Sequence, residues 1–285
     1  MLRLVDETQN DTAGLGSAVH EGIRYILDEL MADGEPEYDD ALAAAVKHWH
    51  EVWETPGFNI VEVPSKLEGA KLIESCLVRF WNEFLPAIWG EKILAVETMF
   101  NVIAYEDEVR TIYLAGMQDL WMALDIWDWK TSNKAYSGRD KWKYDRSYLS
   151  VQHIQYPWAR LLLEGVPKEF IFTEDKEKRL PEFHYCVIPR EPNGGSIPDV
   201  DKLTIAPTVG DAHFLLLEML SYAKLVEARL DAWPLGPTDW WCSNKWCPNW
   251  DHCRGQYLKD DPWTLVERAN AKLEKKRTRS KKTNA

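Results

Sequence analysis

YLAGMQDLWMALDIWDWKTSNK, residues 113–134, reads as two strands of a hairpin and sets the expectation for the whole fold. Residues alternate faces along a strand, so Asp128 and Lys130 point the same way. A turn at Ala123-Leu124 sets Asp119 across from Asp128, with Cβ atoms roughly 4.5–5.5 Å apart. Both carboxylates can then hold one hard cation. Ala-Leu is poor turn chemistry, because tight hairpins favour Asn-Gly or Asp-Gly, so the register rests on the residue pattern alone. An Asp-x-Lys triplet is by itself most often an ordinary surface feature. Here Asp128 lies among Ile126, Trp127 and Trp129, and Asp119 among Met117, Leu120 and Trp121. Carboxylates in such apolar strands are costly unless a cation or a lysine compensates them.

With Gly116 three residues before Asp119 and Thr131 after Lys130, the stretch resembles the PD-(D/E)xK nuclease superfamily in its RecB-like, CRISPR-associated-exonuclease-like branch. That branch reads G-x-x-D, then a hydrophobic strand ending in D-x-K-T. Two further signatures occur in the same order. GLGSAVHEGIRYILDEL carries His20 in a G-x-x-x-H context, on a helix whose apolar stripe is Leu15, Val19, Ile23, Ile26 and Leu30. Taken alone, His20 reads as a packed core histidine. Gln152 and Tyr156 form a Q-x-x-x-Y pair on one helical face after the lysine strand. Each match is weak singly; four in a fixed order are specific together.

The resemblance implies a fold of the α/β (α+β) class: a central mixed sheet flanked by helices, with a helical N-terminal part and a C-terminal cysteine segment. It implies a metal-dependent DNA exonuclease serving recombination, repair or phage DNA processing. Its partners would be DNA and recombination or replication proteins. His20, Asp119 and Asp128 would ligate Mg²⁺ or Mn²⁺, with the Trp129 carbonyl as an extra ligand. Lys130, Asp119 and Asp128 would be catalytic, Lys130 orienting water or stabilising transition-state charge. Gln152 and Tyr156 would touch the DNA strand, and Glu97 occupies a strand where the branch often has an acid. Two rivals remain: a nucleic-acid-binding protein that keeps the fold without cleavage, and a restriction-type endonuclease.

Composition is compatible with this. The 285 residues are 45% hydrophobic, enough for one sizeable domain with an appendage. No apolar run reaches membrane-spanning length and no charged-then-apolar leader opens the chain. Five cysteines, an odd number, argue against a secreted disulfide framework, so a cytoplasmic protein is expected. The net charge of −12 is unhelpful for binding nucleic acid. However, residues 272–285 hold seven Lys or Arg against Glu274 alone, either a solvated tail or a phosphate-contacting arm. Fifteen tryptophans exceed ordinary usage. Most, such as Trp49 and Trp53 at i,i+4, read as helix packing, although exposed aromatics can stack unpaired bases.

Helices are expected at about 39–54, 66–85, 143–164 and 210–230, with strands over 92–131 and in EFIFTE and EFHYCVIP. Pro157 should kink its helix, and Cys76 and Cys186 read as core thiols. The expected organisation is a core over 1–235 with a helical insertion at about 33–90, a cysteine-rich metal-binding segment at 236–270, and a basic tail at 271–285.

WWCSNKWCPNWDHCRG spaces Cys242, Cys247 and Cys253 as C-x4-C-x5-C. Three clustered cysteines in an intracellular chain suggest metal, against the plainer reading of three unligated thiols. Zinc wants four ligands, and His252 qualifies only by crowding beside Cys253. Some resembled exonucleases bind a 4Fe-4S cluster with three such cysteines and a fourth ahead of the histidine helix, usually spaced C-x2-C-x5-C. The resemblance then implies a fourth ligand encoded upstream of Met1, or Cys186, Cys76, a histidine or an exogenous group in its place.

Overall fold

The computed structural model describes residues 10–133, 151–190 and 201–227, all but the last three of them in one compact unit, Gln9–Lys224. Helix α1 spans Asp11–Met31, and its first N–H groups are capped by Asn10, whose side chain accepts from Ala13. The α1 stripe of Leu15, Val19, Ile23, Ile26 and Leu27 is fully buried. Helices α2 (Tyr38–Trp53) and α3 (Lys66–Arg79) pack beside it. Trp49 is buried between α2 and α3, and its indole N–H donates to the Lys66 carbonyl at 2.9 Å. The two helices can approach only because position 69 is glycine: a Cβ there would stand 2.2 Å from the Trp49 ring. Asp11, buried, accepts the N–H groups of Val61, Glu62 and Val63, fixing the α2–α3 loop to the start of α1.

Helix α3 runs on through a π-helical turn, Phe80–Phe84, into the short α4, Leu85–Ile88. Phe80 meets Trp129 edge-on at 5.3 Å, and Phe84 meets Trp129 at 4.9 Å and Trp127 at 4.7 Å. These rings seat the helical layer on the sheet.

The sheet holds β1 (Ile93–Glu106), β2 (Thr111–Met122), β3 (Asp125–Asn133), β4 (Glu182–Arg190) and β5 (Asp201–Ile205), in that spatial order. It is mixed: β3 and β4 are parallel and the other neighbours antiparallel. The parallel pair needs a crossover, which includes α5, Gln152–Leu163. Helix α6, Val209–Glu227, follows β5. Along buried β4 the side chains sort by parity. Cys186 and Ile188 join the core under α1–α3, while Phe183, Tyr185 and Val187 join a second core with Trp158, Ala159 and Leu216 from α5 and α6. Pro189 has no N–H to give, and it falls beyond the stretch of β4 that β5 pairs.

One sequence expectation needs correction. EFIFTE is not a strand: Lys168–Phe172 is a short 3₁₀ helix whose one buried side chain is Ile171. The helix expected at about 143–164 is present over Gln152–Leu163; residues 134–150, where its expected start falls, lie outside the described set, as do the cysteine segment and the basic tail. Among the described residues no helix is long and apolar enough to cross a membrane.

The β2–β3 hairpin has the expected register. Leu120 pairs with Trp127 and Trp121 with Ile126, which centres the turn on Ala123-Leu124. Its weak turn chemistry is compensated from outside. Buried Arg160 of α5 donates to the Ala123 carbonyl at 2.7 Å and the Asp125 carbonyl at 3.1 Å, and its guanidinium lies over the Trp121 ring. Replacing Arg160 with Ala should lower stability by about 2–4 kcal/mol, since charged donors to buried carbonyls are lost. Arg160→Lys should not restore it, because one ammonium cannot reproduce the guanidinium fork. Urea unfolding of both variants tests this; an unchanged midpoint in Arg160→Ala would refute the clasp.

Candidate metal and catalytic site

Two ladder pairs are all that join β2 to β3. Beyond Leu120↔Trp127 the strands part, β3 continuing along β4 and β2 along β1. The Trp129 N–H, left without a ladder acceptor on β2, donates to Asp119 Oδ2 at 2.7 Å. Asp119 is thereby fixed in the fork.

Glu97 stands opposite Asp119 on the other side, because Val96 pairs with Leu120 and Thr98 with Gln118. Its φ is +44°, the left-handed region that a non-glycine residue rarely occupies. Such a conformation persists only where the surroundings over-determine it, and it marks functional positions more often than chance. Helix α1 brings in His20. Its Nδ1 lies 3.3 Å from Glu97 Oε1 and 3.7 Å from Asp119 Oδ2, and its Nε2 lies 3.1 Å from the Trp129 carbonyl. Gly16, one turn earlier, keeps α1 close to β3, since a Cβ there would already touch Thr131 at 3.5 Å.

The ligand atoms of His20, Glu97 and Asp119 all lie within 4.8 Å of one another, so this trio could hold a metal ion. Two carboxylate oxygens suit a hard cation, and one imidazole is compatible with Mg²⁺ or, better, Mn²⁺. Asp128 is not in the group. Buried, it forms an ion pair with Lys130 at 2.6 Å, and Lys130 lies 6.0 Å from the Tyr185 ring centre. Of the expected ligands His20 and Asp119 stand together with Glu97, while Asp128, whose charge reaches Asp119, is engaged by Lys130. A lone acid in the apolar run LAVETMF was the available signal for Glu97; its left-handed backbone has none.

The electrostatics agree with a missing positive charge. Burial, reinforced by the charge of Asp128, pushes Asp119 up to about 7. Burial works against protonation of His20, but Asp119 and the Glu97 hydrogen bond outweigh it and raise its pKa. Lys130 is also raised: Asp128 and Asp119 overcome the cost of burial, so it stays an ammonium. An open cleft of roughly 610 Å³ reaches His20 and Glu97 of this trio, lined also by Ser17, His48, Met117 and Lys130.

Gln152 donates to the Tyr156 hydroxyl at 3.0 Å. Tyr156 is only 6% exposed, its ring against Phe100 and Phe183, so it is foremost a core residue. Gly116 makes room for it, since a Cβ would stand 3.2 Å from that ring. Cys76 and Cys186 are both fully buried and form no disulfide, and burial pushes the Cys76 thiol up to about 12. They fill the core under α1–α3. Cys242, Cys247, Cys253 and His252 lie outside the described residues.

The cation-free protein should lose stability as pH rises. Asp119, raised above its unfolded value, keeps in the folded state a proton that the unfolded chain has already released, from about pH 4 to about pH 7. His20, also raised, contributes stability below its unfolded pKa that is lost as pH climbs through its folded one. Thermal melts in chelator should therefore fall between about pH 5 and about pH 8, and Asp119→Asn should flatten that slope. Added Mn²⁺ should reverse it in the native protein only. A wild-type melting temperature that rises across this range would contradict the assignment.

A family model for the PD-(D/E)XK nuclease superfamily matches residues 1–254. Neither curated proteins nor solved structures give a match.

Proposed function

The chain belongs to the PD-(D/E)XK nuclease superfamily, and from that premise we propose that it is a Mg²⁺- or Mn²⁺-dependent DNA exonuclease of the RecB-like type, serving recombination, repair or phage DNA processing. One observation carries the reading: His20, Glu97 and Asp119 converge within 4.8 Å beside the Lys130–Asp128 ion pair, in a cleft. A bound divalent cation supplies Lewis-acid stabilisation of the scissile phosphate and a more acidic water.

The chain's own residues do the rest. Asp119 and Glu97 provide the negative charge that retains the cation, and the Trp129 N–H fixes the Asp119 oxygen for that task. His20, between both carboxylates, would hold the cation as a neutral imidazole. Lys130 keeps its charge at the cleft wall, where it orients the attacking water and stabilises the charge that builds on the phosphate oxygens. Asp128 positions that ammonium. Gln152, held by the Tyr156 hydroxyl, touches the strand next to the scissile bond. For Cys242, Cys247 and Cys253 the reading is an iron-sulfur centre, supported by their spacing alone, with zinc as the alternative.

Lys130→Ala and Asp119→Ala should each lower hydrolysis by at least about a hundredfold. Binding of DNA in Ca²⁺ should change little, since affinity comes mostly from contacts elsewhere. Digestion of end-labelled linear and closed circular DNA gives the test: linear DNA should be consumed from its ends and circular DNA spared. Undiminished cleavage in excess chelator would end the cation mechanism, and cutting of the circle would end the exonuclease one. Anaerobically purified protein should be brown and should bleach when any of the three cysteines becomes Ser. Stoichiometric zinc without iron, after expression with ample iron, would replace the cluster with a zinc site.

A further inference from the structure

The β1–β2 ribbon continues well past the metal site, as far as Glu106↔Thr111. Its even-numbered side chains Phe100, Ala104 and Leu114 enter the core under α5. Alternation turns Met99, Asn101 and Ile103 of β1, and Tyr113, Ala115 and Met117 of β2, to the opposite side. These form the cross-strand pairs Met99↔Met117, Asn101↔Ala115 and Ile103↔Tyr113. Met99 is 80% exposed, Tyr113 53%, Met117 46% and Ile103 39%. None of the six carries a charge at neutral pH.

This face is continuous with the cleft, because Met117 lines it together with Glu97 and His20. Tyr113 lies six residues further along β2 than Asp119, about 20 Å away by strand rise. Among the described residues, Arg24 of the cleft wall is paired with Glu21 and Asp28, and at the ribbon's far end Lys168 is paired with Glu106. The whole chain is at −12, which also disfavours a second copy on this face. A strand whose phosphate enters the cleft then runs over an uncharged face, which can contact it through its bases. Methionine and aromatic side chains on a rigid ribbon are suited to that, and only unpaired bases have their faces free.

Resting on the nuclease reading above, we infer that the outer face of the β1–β2 ribbon, with Tyr113 and Met117 as its principal contacts, is a stacking platform for unpaired bases of a single-stranded DNA end whose phosphate lies in the cleft. The enzyme is thereby selective for single-stranded or frayed ends over blunt duplex. Binding by this mode has a shallow salt dependence, unlike polycationic grip.

The test compares wild type, Tyr113→Phe and Tyr113→Thr as full chains, in Ca²⁺, with a short fluorescein-labelled single-stranded oligodeoxynucleotide and with its blunt duplex. Threonine keeps strand propensity and removes the ring. Wild type should prefer the single strand. Tyr113→Thr should lose about tenfold in affinity for it, and Tyr113→Phe should retain it within about twofold. Equal single-strand affinity in wild type and Tyr113→Thr overturns the inference. So does a shift from dimer to monomer in gel filtration of Tyr113→Thr, which makes the face a contact between copies. Wild-type hydrolysis of bis-p-nitrophenyl phosphate in Mn²⁺ keeps the two readings apart. If neither that ester nor DNA is hydrolysed the nuclease reading fails, whereas the binding comparison still decides the platform.

Discussion

The hydrogen bond from the Trp129 N–H to Asp119 Oδ2, at 2.7 Å, is the constraint on which the site depends. A backbone donor freed where β2 and β3 diverge needs an acceptor, because a buried unpaired N–H costs about as much as a lost hydrogen bond. Asp119 supplies it, and in doing so its carboxyl is fixed at the meeting point of three elements. β1 contributes Glu97 from across the ladder, α1 contributes His20 from above, and β3 contributes the Trp129 carbonyl that faces the same imidazole. The fork is thus both a break in the sheet and the means of assembling ligands distant in sequence.

The same geometry explains the charge state. Three acids and one lysine in a largely buried fork cannot all be compensated by that lysine, which Asp128 holds. The surplus appears as an Asp119 that keeps its proton to about 7 and a His20 inclined to take one. Function is favoured here at the expense of the cation-free fold, a common pattern at metal and catalytic centres.

Much of this was legible in the sequence. Alternation across residues 113–134 fixed the hairpin register despite Ala-Leu at its turn, because the apolar pattern admits only one pairing that buries Leu120 and Trp127 together. The stabiliser of that turn, Arg160, was not legible, since a charged residue on a helix gives no sign of which carbonyls it will reach. EFIFTE misled for a similar reason: its aromatic and β-branched residues match a strand, yet local 3₁₀ geometry prevailed where little of the segment is buried. Asp128 is expected among the ligands because the hairpin brings it near Asp119. In the structure it pairs with Lys130, near enough to Asp119 for its charge to raise that carboxyl's pKa, while Trp127 and Trp129 join the core beneath α1. The histidine and Asp119 were found by motif, and Glu97 gained its place through a backbone conformation that residue identity does not announce.

The clasp of Arg160 on the hairpin turn also bears on the order in which the protein is made. Ala123 precedes Arg160 by 37 positions, so a ribosome must synthesise the rest of the crossover before the turn has its clasp. Until then the hairpin has only its own weak turn preference, and closing so distant a contact costs chain entropy. Asp119 and Trp129 meet only after that hairpin closes. A nascent chain therefore carries an unassembled site through much of its synthesis, and that site is completed late, after the helix that clasps the hairpin turn.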